Sequence, residues 1–221
     1  MRRALLFLSA ALLAGAALFW LTLPDVAPLA RDWPKTTAFM ERRKALLARE
    51  GKPNRLEWTP VPLSRIAPAM QRAAIVAEDA RFFEHDGVDW DALRGAVEKN
   101  LEKGALKVGG STITQQLAKN LYLSPARTPW RKLRELAIAR RLERALSKKR
   151  ILELYLNVIE FGPRTFGVEA AARRYIGKSA RDLSREEAAT LAAIIPSPRI
   201  YDPVTHRDRV ARRAQRILRW M

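Results

Sequence analysis

The sequence predicts a mainly α-helical protein, and three observations lead there. Apolar residues recur at three- and four-residue intervals through most of the chain after Leu63, as in Leu133, Leu136, Ala139, Leu142 and Leu146. That spacing puts them on one face of a helix. Helix-starting signals precede several of these runs, Ser184 with Glu187 forming a capping box. No run alternates apolar and polar residues long enough to read as a strand, and no internal repeat is present.

Taken in order, Met1-Arg2-Arg3 precedes an uncharged stretch from Ala4 to Leu23. Twenty helical residues rise about 30 Å, the depth of a bilayer's hydrocarbon core. Arg2 and Arg3 would keep the N-terminus cytoplasmic, so residues 1–23 are expected to form a cytoplasmic tip and a transmembrane signal anchor. A cleaved signal peptide is the competing reading, since Ala14-Gly15-Ala16 resembles a small-residue cleavage site. The apolar run continues past that point to Leu23, which favours the anchor. Residues 24–62 read as a membrane-proximal connector, broken by Pro24, Pro28, Pro34, Pro53, Pro60 and Pro62. A short basic helix is expected from Thr37 to Arg49, and Trp20 and Trp33 can serve as interfacial anchors or as ordinary packing.

The main domain is expected over 63–221. Ser64 offers an N-cap for a helix carrying Ile66, Met70, Ala73, Ala74 and Ala77 up to Glu78. Asp89 to Lys103 follows, with Leu93, Val97 and Leu101 on one face. Glycines between Lys103 and Gly110 then predict a mobile loop. Thr112 to Leu123 is helical, Ser124-Pro125 offers the next cap, and a long charged helix starts near Pro129. Ile151 to Asn157 continues after a break at Ser147. Gly162 and Gly167 mark a turn before Val168 to Tyr175. Ala188 to Ile195 is ended by Pro196 and Pro198, and Val210 to Trp220 is a last basic helix.

Lys and Arg number 41 against 23 Asp and Glu, a net charge of +18. Such a field draws anionic partners: nucleic acid, anionic lipid headgroups or a phosphorylated substrate. With no cysteine, disulfides and thiolate metal sites are excluded. Two histidines, His85 and His206, argue against a histidine-rich zinc centre.

Two blocks concentrate the chemistry, Glu78 to Gly87 and Gly109 to Asn120. Glu78 ends an Ala/Ile/Val helix, so burial can raise its pKa toward that of a general base; a surface carboxylate paired with an arginine is the alternative. Asp79 and His85 read equally well as scaffold, the aspartate bonded to backbone and the histidine capping a turn. Gly109-Gly110-Ser111-Thr112 can present backbone N–H groups to a phosphate at a helix start. Gln115 and Lys119 share a helical face, as a binding pair or a solvated one. Between Arg127 and Arg150 stand ten basic residues and two acidic ones, Glu135 and Glu143. That segment is either a salt-bridged surface helix or a phosphate cradle with Glu135 organising the cations.

The ordered motifs separate these readings. Glu78-Asp79 with Phe82, His85 and Gly87, then Gly109 to Asn120, then Arg131-Lys132 with Glu135, resemble the first three motifs of the lysozyme-like glycosyltransferase 51 family. Ser147-Lys148 with Ile151-Leu152-Glu153 and Tyr155-Leu156-Asn157 resembles the fourth. Gly167, Ala170-Ala171, Tyr175 and Gly177-Lys178 resemble the fifth, with Ile176 where phenylalanine is usual. The match spans Leu63 to Pro198 and points to the monofunctional biosynthetic peptidoglycan transglycosylases.

The resemblance implies a two-lobed, lysozyme-like glycosyltransferase domain carried on one N-terminal transmembrane helix at the inner membrane, with the catalytic domain extracytoplasmic. It implies lipid II as acceptor and the growing lipid-linked glycan as donor, with Glu78 as general base in an inverting β-1,4 transfer that expels undecaprenyl pyrophosphate. Glu135 would serve the leaving pyrophosphate. Ser111, Thr112, Gln115, Lys119, Arg127, Arg131, Lys148 and Asn157 are the implied substrate contacts. Asp79, Phe82, His85, Gly87, Gly109 and Gly110 would hold the motifs in shape. Mg²⁺ or another divalent cation can bridge the pyrophosphate, although the sequence presents no dedicated ligand cage. Membrane lipids and cell-division or elongation proteins are expected partners, and nucleic acid is not. A chain ending at Met221 is expected to lack a transpeptidase domain. A lytic transglycosylase, or a membrane-anchored protein binding anionic lipid without turnover, are the alternatives.

Overall fold

The computed structural model describes residues 2–102, 110–201 and 203–221, without the side chains of residues 2–6, 8, 11, 12 and 100. Within them the chain is mainly helical. The helices are α1 (Arg2–Leu21), α2 (Ala38–Arg49), α3 (Pro68–Glu78), α4 (Trp90–Glu102), α5 (Ile113–Tyr122), α6 (Pro129–Ala145), α7 (Lys148–Val158), α8 (Val168–Tyr175), α9 (Arg185–Ile194) and α10 (Arg207–Leu218). Gly109 and the preceding loop residues from Lys103 lie outside the described residues.

One helix start and one cap differ from the sequence reading. Ser64 falls in a 3-10 turn (Leu63–Arg65), and α3 begins at Pro68, where proline's missing N–H costs nothing and its fixed φ suits a first turn. Helix α6 starts at Pro129 as read, although its cap is Thr128 rather than Ser124, the Thr128 hydroxyl accepting the Arg131 N–H at 3.2 Å. Ser147 caps α7, and Ser184 with Glu187 forms the expected box on α9.

Three short strands were not foreseen: β1 (Glu57–Trp58), β2 (Glu160–Gly162) and β3 (Thr165–Phe166). They pair in the order β1-β3-β2, with β1 parallel and β2 antiparallel to β3. Two or three residues cannot display a period of two, so their sequence carries no strand signal. The turn leading into α8 depends on Gly167. Its φ is +78°, and a Cβ there would meet the Asn157 carbonyl oxygen at 2.6 Å, closer than any side chain tolerates.

The core is built around α5 and α9. Ile113, Leu117 and Ala118 of α5 are fully buried, as are Ala188, Ala189, Leu191, Ala192, Ala193 and Ile194 of α9. Small residues let α3 and α10 lie close against α9, while α2, α6 and α7 pack on α5. Burial of each leucine or isoleucine contributes roughly 1.5–3 kcal/mol, so packing rather than propensity fixes these helices. On α4, by contrast, Val97 and Leu101 are 50 % and 76 % exposed.

The segment after α1 enters this core. Leu23, Val26, Leu29 and Val61 are buried in it. The side chain of Asn157 clasps Val61, its oxygen accepting the Val61 N–H at 2.8 Å and its Nδ2 donating to the Val61 carbonyl at 2.9 Å. Arg150 donates to the carbonyls of Leu29 and Asp32, both at 2.8 Å, and lies over the Trp33 ring. The end of α1 is tied to α6, with Arg141 donating to the Trp20 carbonyl at 2.7 Å and Arg134 to that of Thr22 at 2.9 Å. Among the described residues no helix is long and apolar enough to cross a membrane.

Candidate active site

Glu78 is the last residue of α3, delivered to the interior by a helix whose Met70, Ala73 and Ala74 are buried. Its carboxylate accepts a hydrogen bond from Gln116 Nε2 at 2.9 Å and faces Arg213 Nη2 at 3.4 Å. Burial pushes the Glu78 carboxyl above its ordinary value, against the pull of the Gln116 bond and the Arg213 and Lys119 charges. Gln116 is itself oriented: its oxygen accepts from the hydroxyl of buried Tyr155 at 3.1 Å, which turns its NH₂ toward Glu78.

Asp79 turns away from the helix, φ −164°, and anchors the neighbouring block. Its carboxylate accepts the backbone N–H of Ile113 at 2.9 Å and lies 3.0 Å from His85 Nε2. The anion at the start of α5 is therefore a side chain of the protein, where helix-dipole and amide donors favour negative charge. Thr112, the N-cap, takes the Gln115 N–H at 3.2 Å and donates to the Gly87 carbonyl at 2.6 Å. The Ile113 and Gln115 amides of this helix start are thus already satisfied by side chains. Gly87, at φ +88°, could not carry a Cβ without pressing on Glu143 Cγ at 3.0 Å. His85 Nδ1 accepts the Gly87 N–H at 3.2 Å, and Phe82 is fully buried beneath the loop.

A second centre forms on α6. Glu135 is only 2 % exposed, and its two oxygens bind Arg131 Nη1 and Lys132 Nζ, the latter at 2.6 Å. Lys132 also donates to Gln115 Oε1 at 2.7 Å and Ser111 Oγ at 3.2 Å, gathering Ser111, Gln115 and Glu135 into one cluster. Burial lowers the Lys119 pKa. Glu135 opposes that fall, while Arg131 and Lys132 reinforce it. The Nε atoms of Arg131 and Arg213 are buried and have no hydrogen-bond partner among the described residues, which leaves cationic donors uncompensated in both centres.

Two clefts meet at Glu78. One, about 260 Å³, is lined by Phe39, Gln116, Lys119, Asn120 and Pro198; the other, about 300 Å³, by Asp79, Arg81, Asp89, Ser111 and Thr112. Arg127 is exposed and lines a further cleft of about 500 Å³ that shares Phe39, Glu160, Pro196 and Pro198 with the first. A larger cleft, about 620 Å³, lies elsewhere, between β1 and α8. Its one carboxylate, Glu57, is already paired with Arg174, so it lacks the chemistry that Glu78 supplies.

Not every sequence-derived candidate reaches these clefts. Asn157 is fully buried, its amide consumed by Val61 and by the Glu153 carbonyl. Lys148 donates to the His85 carbonyl and to Glu143 at 2.9 Å and lies over Phe82, a brace under the loop rather than a lining group. Conversely, sequence reasoning passed over Gln116, Lys132 as a hub, Tyr155 and Arg213. The signal for Arg213 was present: it sits three to four residues from Val210 and Ile217 on the buried side of α10.

Among the described residues, those spaced for a cation are Asp79, His85 and Asp89, and each is engaged within the fold, Asp89 by the Ala92 N–H at 2.9 Å. Each oxygen of Glu135 already accepts from one cation, Arg131 or Lys132. The α6 centre is suited to an anion and does not fit a resident divalent metal.

A desolvated carboxylate thus stands at the meeting of two clefts, beside a cation cluster held by a second buried carboxylate. The chain belongs to the Transglycosylase family, whose model matches residues 43–221. It is similar to proteins described as biosynthetic peptidoglycan transglycosylase. That of Nitrosospira multiformis is 52 % identical over 185 residues, covering 84 % of this chain and 80 % of the relative. That of Laribacter hongkongensis is 50 % identical over 186 residues, 84 % and 81 % of the two chains. That of Chromobacterium violaceum is 46 % identical over 222 residues, 100 % of this chain and 97 % of its own.

Proposed function

We propose that the protein is a peptidoglycan glycosyltransferase that polymerises lipid II, with Glu78 as the base. The observation that carries the reading is Glu78 itself, buried, raised in pKa and lining both clefts. In this reaction Glu78 takes the proton from the acceptor's sugar 4-hydroxyl as that oxygen attacks the donor's anomeric carbon. The bond from that carbon to the pyrophosphate oxygen breaks with inversion, and undecaprenyl pyrophosphate leaves with the electron pair. Lys119, Lys132 and Arg131 supply positive charge that is needed most as the leaving group develops its own, so they favour the transition state over the neutral sugar. Gln116 and Arg213 hold the carboxylate in place.

In the same reading α1 anchors the chain in the inner membrane with a cytoplasmic N-terminus, residues 24–62 join it to the catalytic domain at 63–221, and that domain works outside the cytoplasm on a substrate that never leaves the bilayer. A divalent cation enters only as a companion of the substrate's phosphates. Contacts with division or elongation proteins belong to the proposal; nucleic acid does not.

The test is incubation of the full chain with labelled lipid II in detergent. Glycan polymer with equimolar release of undecaprenyl pyrophosphate is expected. Shortening of preformed glycan without use of lipid II would instead make the site lytic, and binding of lipid II without turnover would make it a binding protein.

A further inference from the structure

The outer face of α10 carries arginines that the reaction does not use. Arg209, Arg212, Arg216 and Arg219 are all exposed and, with Tyr201 and Gln215, line a cleft of about 530 Å³ that contains no carboxylate among the described residues. Their side chains make no hydrogen bond or ion pair among the described residues. Their spacing of three, four and three residues places them on one stripe, where like charges at such intervals destabilise a helix. Several arginines elsewhere in the fold are paired, Arg43 with Glu160, Arg150 with Glu153, Arg173 with Glu169 and Arg174 with Glu57. An unpaired stripe about 15 Å long, at 1.5 Å per residue, is therefore matched to an external polyanion.

The stripe's place selects the polyanion. Arg213 of the same helix reaches Glu78, and at 100° per residue the stripe is centred only about 80° around the helix from it. Helix α10 packs on α9 and α3, whereas the end of α1 hangs on α6. The stripe thus lies on the helix that carries Arg213 to Glu78, whereas the bonds that hold the end of α1 come from α6. A bilayer is the less suited occupant.

We propose that this stripe is a binding site for the peptide carboxylates of the nascent glycan strand, retaining the polymer beside the site between transfers. Guanidinium groups bind carboxylates through paired N–H donors, and a strand bearing a peptide on alternate sugars presents carboxylates repeatedly along its length. The proposal rests on the transfer reading above, but its test does not require turnover.

The experiment measures retention of lipid-free glycan strands by the full chain in detergent. Strands with intact peptides are compared with strands stripped by an amidase, for the wild type and for the triple variant Arg209→Gln, Arg212→Gln, Arg216→Gln. The wild type should bind intact strands roughly tenfold more tightly than stripped ones, as expected for several exposed charge pairs acting together, and added salt should erase the difference. The variant, whose melting profile checks its folding, should lose the preference. Equal binding of intact and stripped strands by the wild type overturns the proposal without reference to any variant. So does a variant that keeps the preference, or one that loses only sedimentation with phosphatidylglycerol vesicles, which would assign the stripe to a bilayer. If lipid II is not polymerised while strand retention behaves as expected, the transfer reading fails and the stripe stands.

Discussion

Glu78→Gln separates a catalytic carboxylate from a structural one because the two roles predict opposite changes in two measurements. The amide has the shape of the carboxyl, and its oxygen can still accept from Gln116 Nε2, which Tyr155 holds in position. It cannot take a proton. Loss of general-base catalysis costs about 10²–10⁴ in rate, or roughly 3–5 kcal/mol at 1.36 kcal/mol per tenfold. The stability effect has the other sign. The folded-state pKa of Glu78 lies above its ordinary value of 4.5, with burial the leading cause, so the native state binds this proton more tightly than the unfolded chain does. Its favourable contribution is complete below pH 4.5 and is lost as pH rises through the raised value. Above that value the charged carboxylate weighs against the fold, and a neutral amide removes the burden. The variant should therefore melt higher than the wild type at neutral and alkaline pH, with the gain shrinking toward zero in acid, while polymerisation of lipid II falls by at least a hundredfold. Melting curves by circular dichroism across pH and initial rates in detergent read the two effects. A variant that polymerises like the wild type, or one that loses activity together with stability at neutral pH, would refute the argument.

Other perturbations probe the groups around it. Removing the guanidinium in Arg213→Ala takes away a charge that favours ionised Glu78, so the acid limb of kcat/KM against pH should move to higher pH, with Arg213→Lys recovering part of the shift. Lys132→Met deprives Glu135, Gln115 and Ser111 of their shared donor; a loss of about 10²-fold in kcat/KM is expected, the scale of removing one preorganised electrostatic group. Asn157→Ala deletes buried bonds to both polar groups of Val61 and to the Glu153 carbonyl, which should cost about 2–4 kcal/mol of stability in a denaturant melt, with activity falling only in proportion to the folded fraction.

What could be read from the sequence divides along physical lines. Helices were legible because period and caps are local: α9 follows from Ser184 and Glu187, and α3 could be placed up to Glu78 from its apolar spacing alone. Its start was misplaced because Ser64 and Pro68 both signal helix starts, and only tertiary packing selects proline. The strands were illegible because β1 and β3 are two residues each, paired across more than a hundred positions, a distance at which no local pattern operates. The same limit explains the site. Glu78 and Glu135 could be named from motifs, but the relay from Tyr155 through Gln116 to Glu78, and the approach of Arg213 from α10, exist only once α3, α5, α7 and α10 are brought together.

The charge of this protein is then better understood by position than by its total. Arginines that brace the fold are bonded to carbonyls or carboxylates, as Arg150 is to Leu29 and Glu153. Those in the site are held by a carboxylate that is itself buried, as Arg131 is by Glu135, so their geometry is fixed and a donor is left over. Those on the outer face of α10 have no such partner among the described residues. All three populations contribute to the net charge of +18, and in the proposed transfer only the second would stabilise the leaving group, because catalysis requires charge that is fixed before the reaction begins. Neutralising Lys132 should for that reason cost far more turnover than neutralising any single arginine of the α10 stripe, although each removes the same unit of charge.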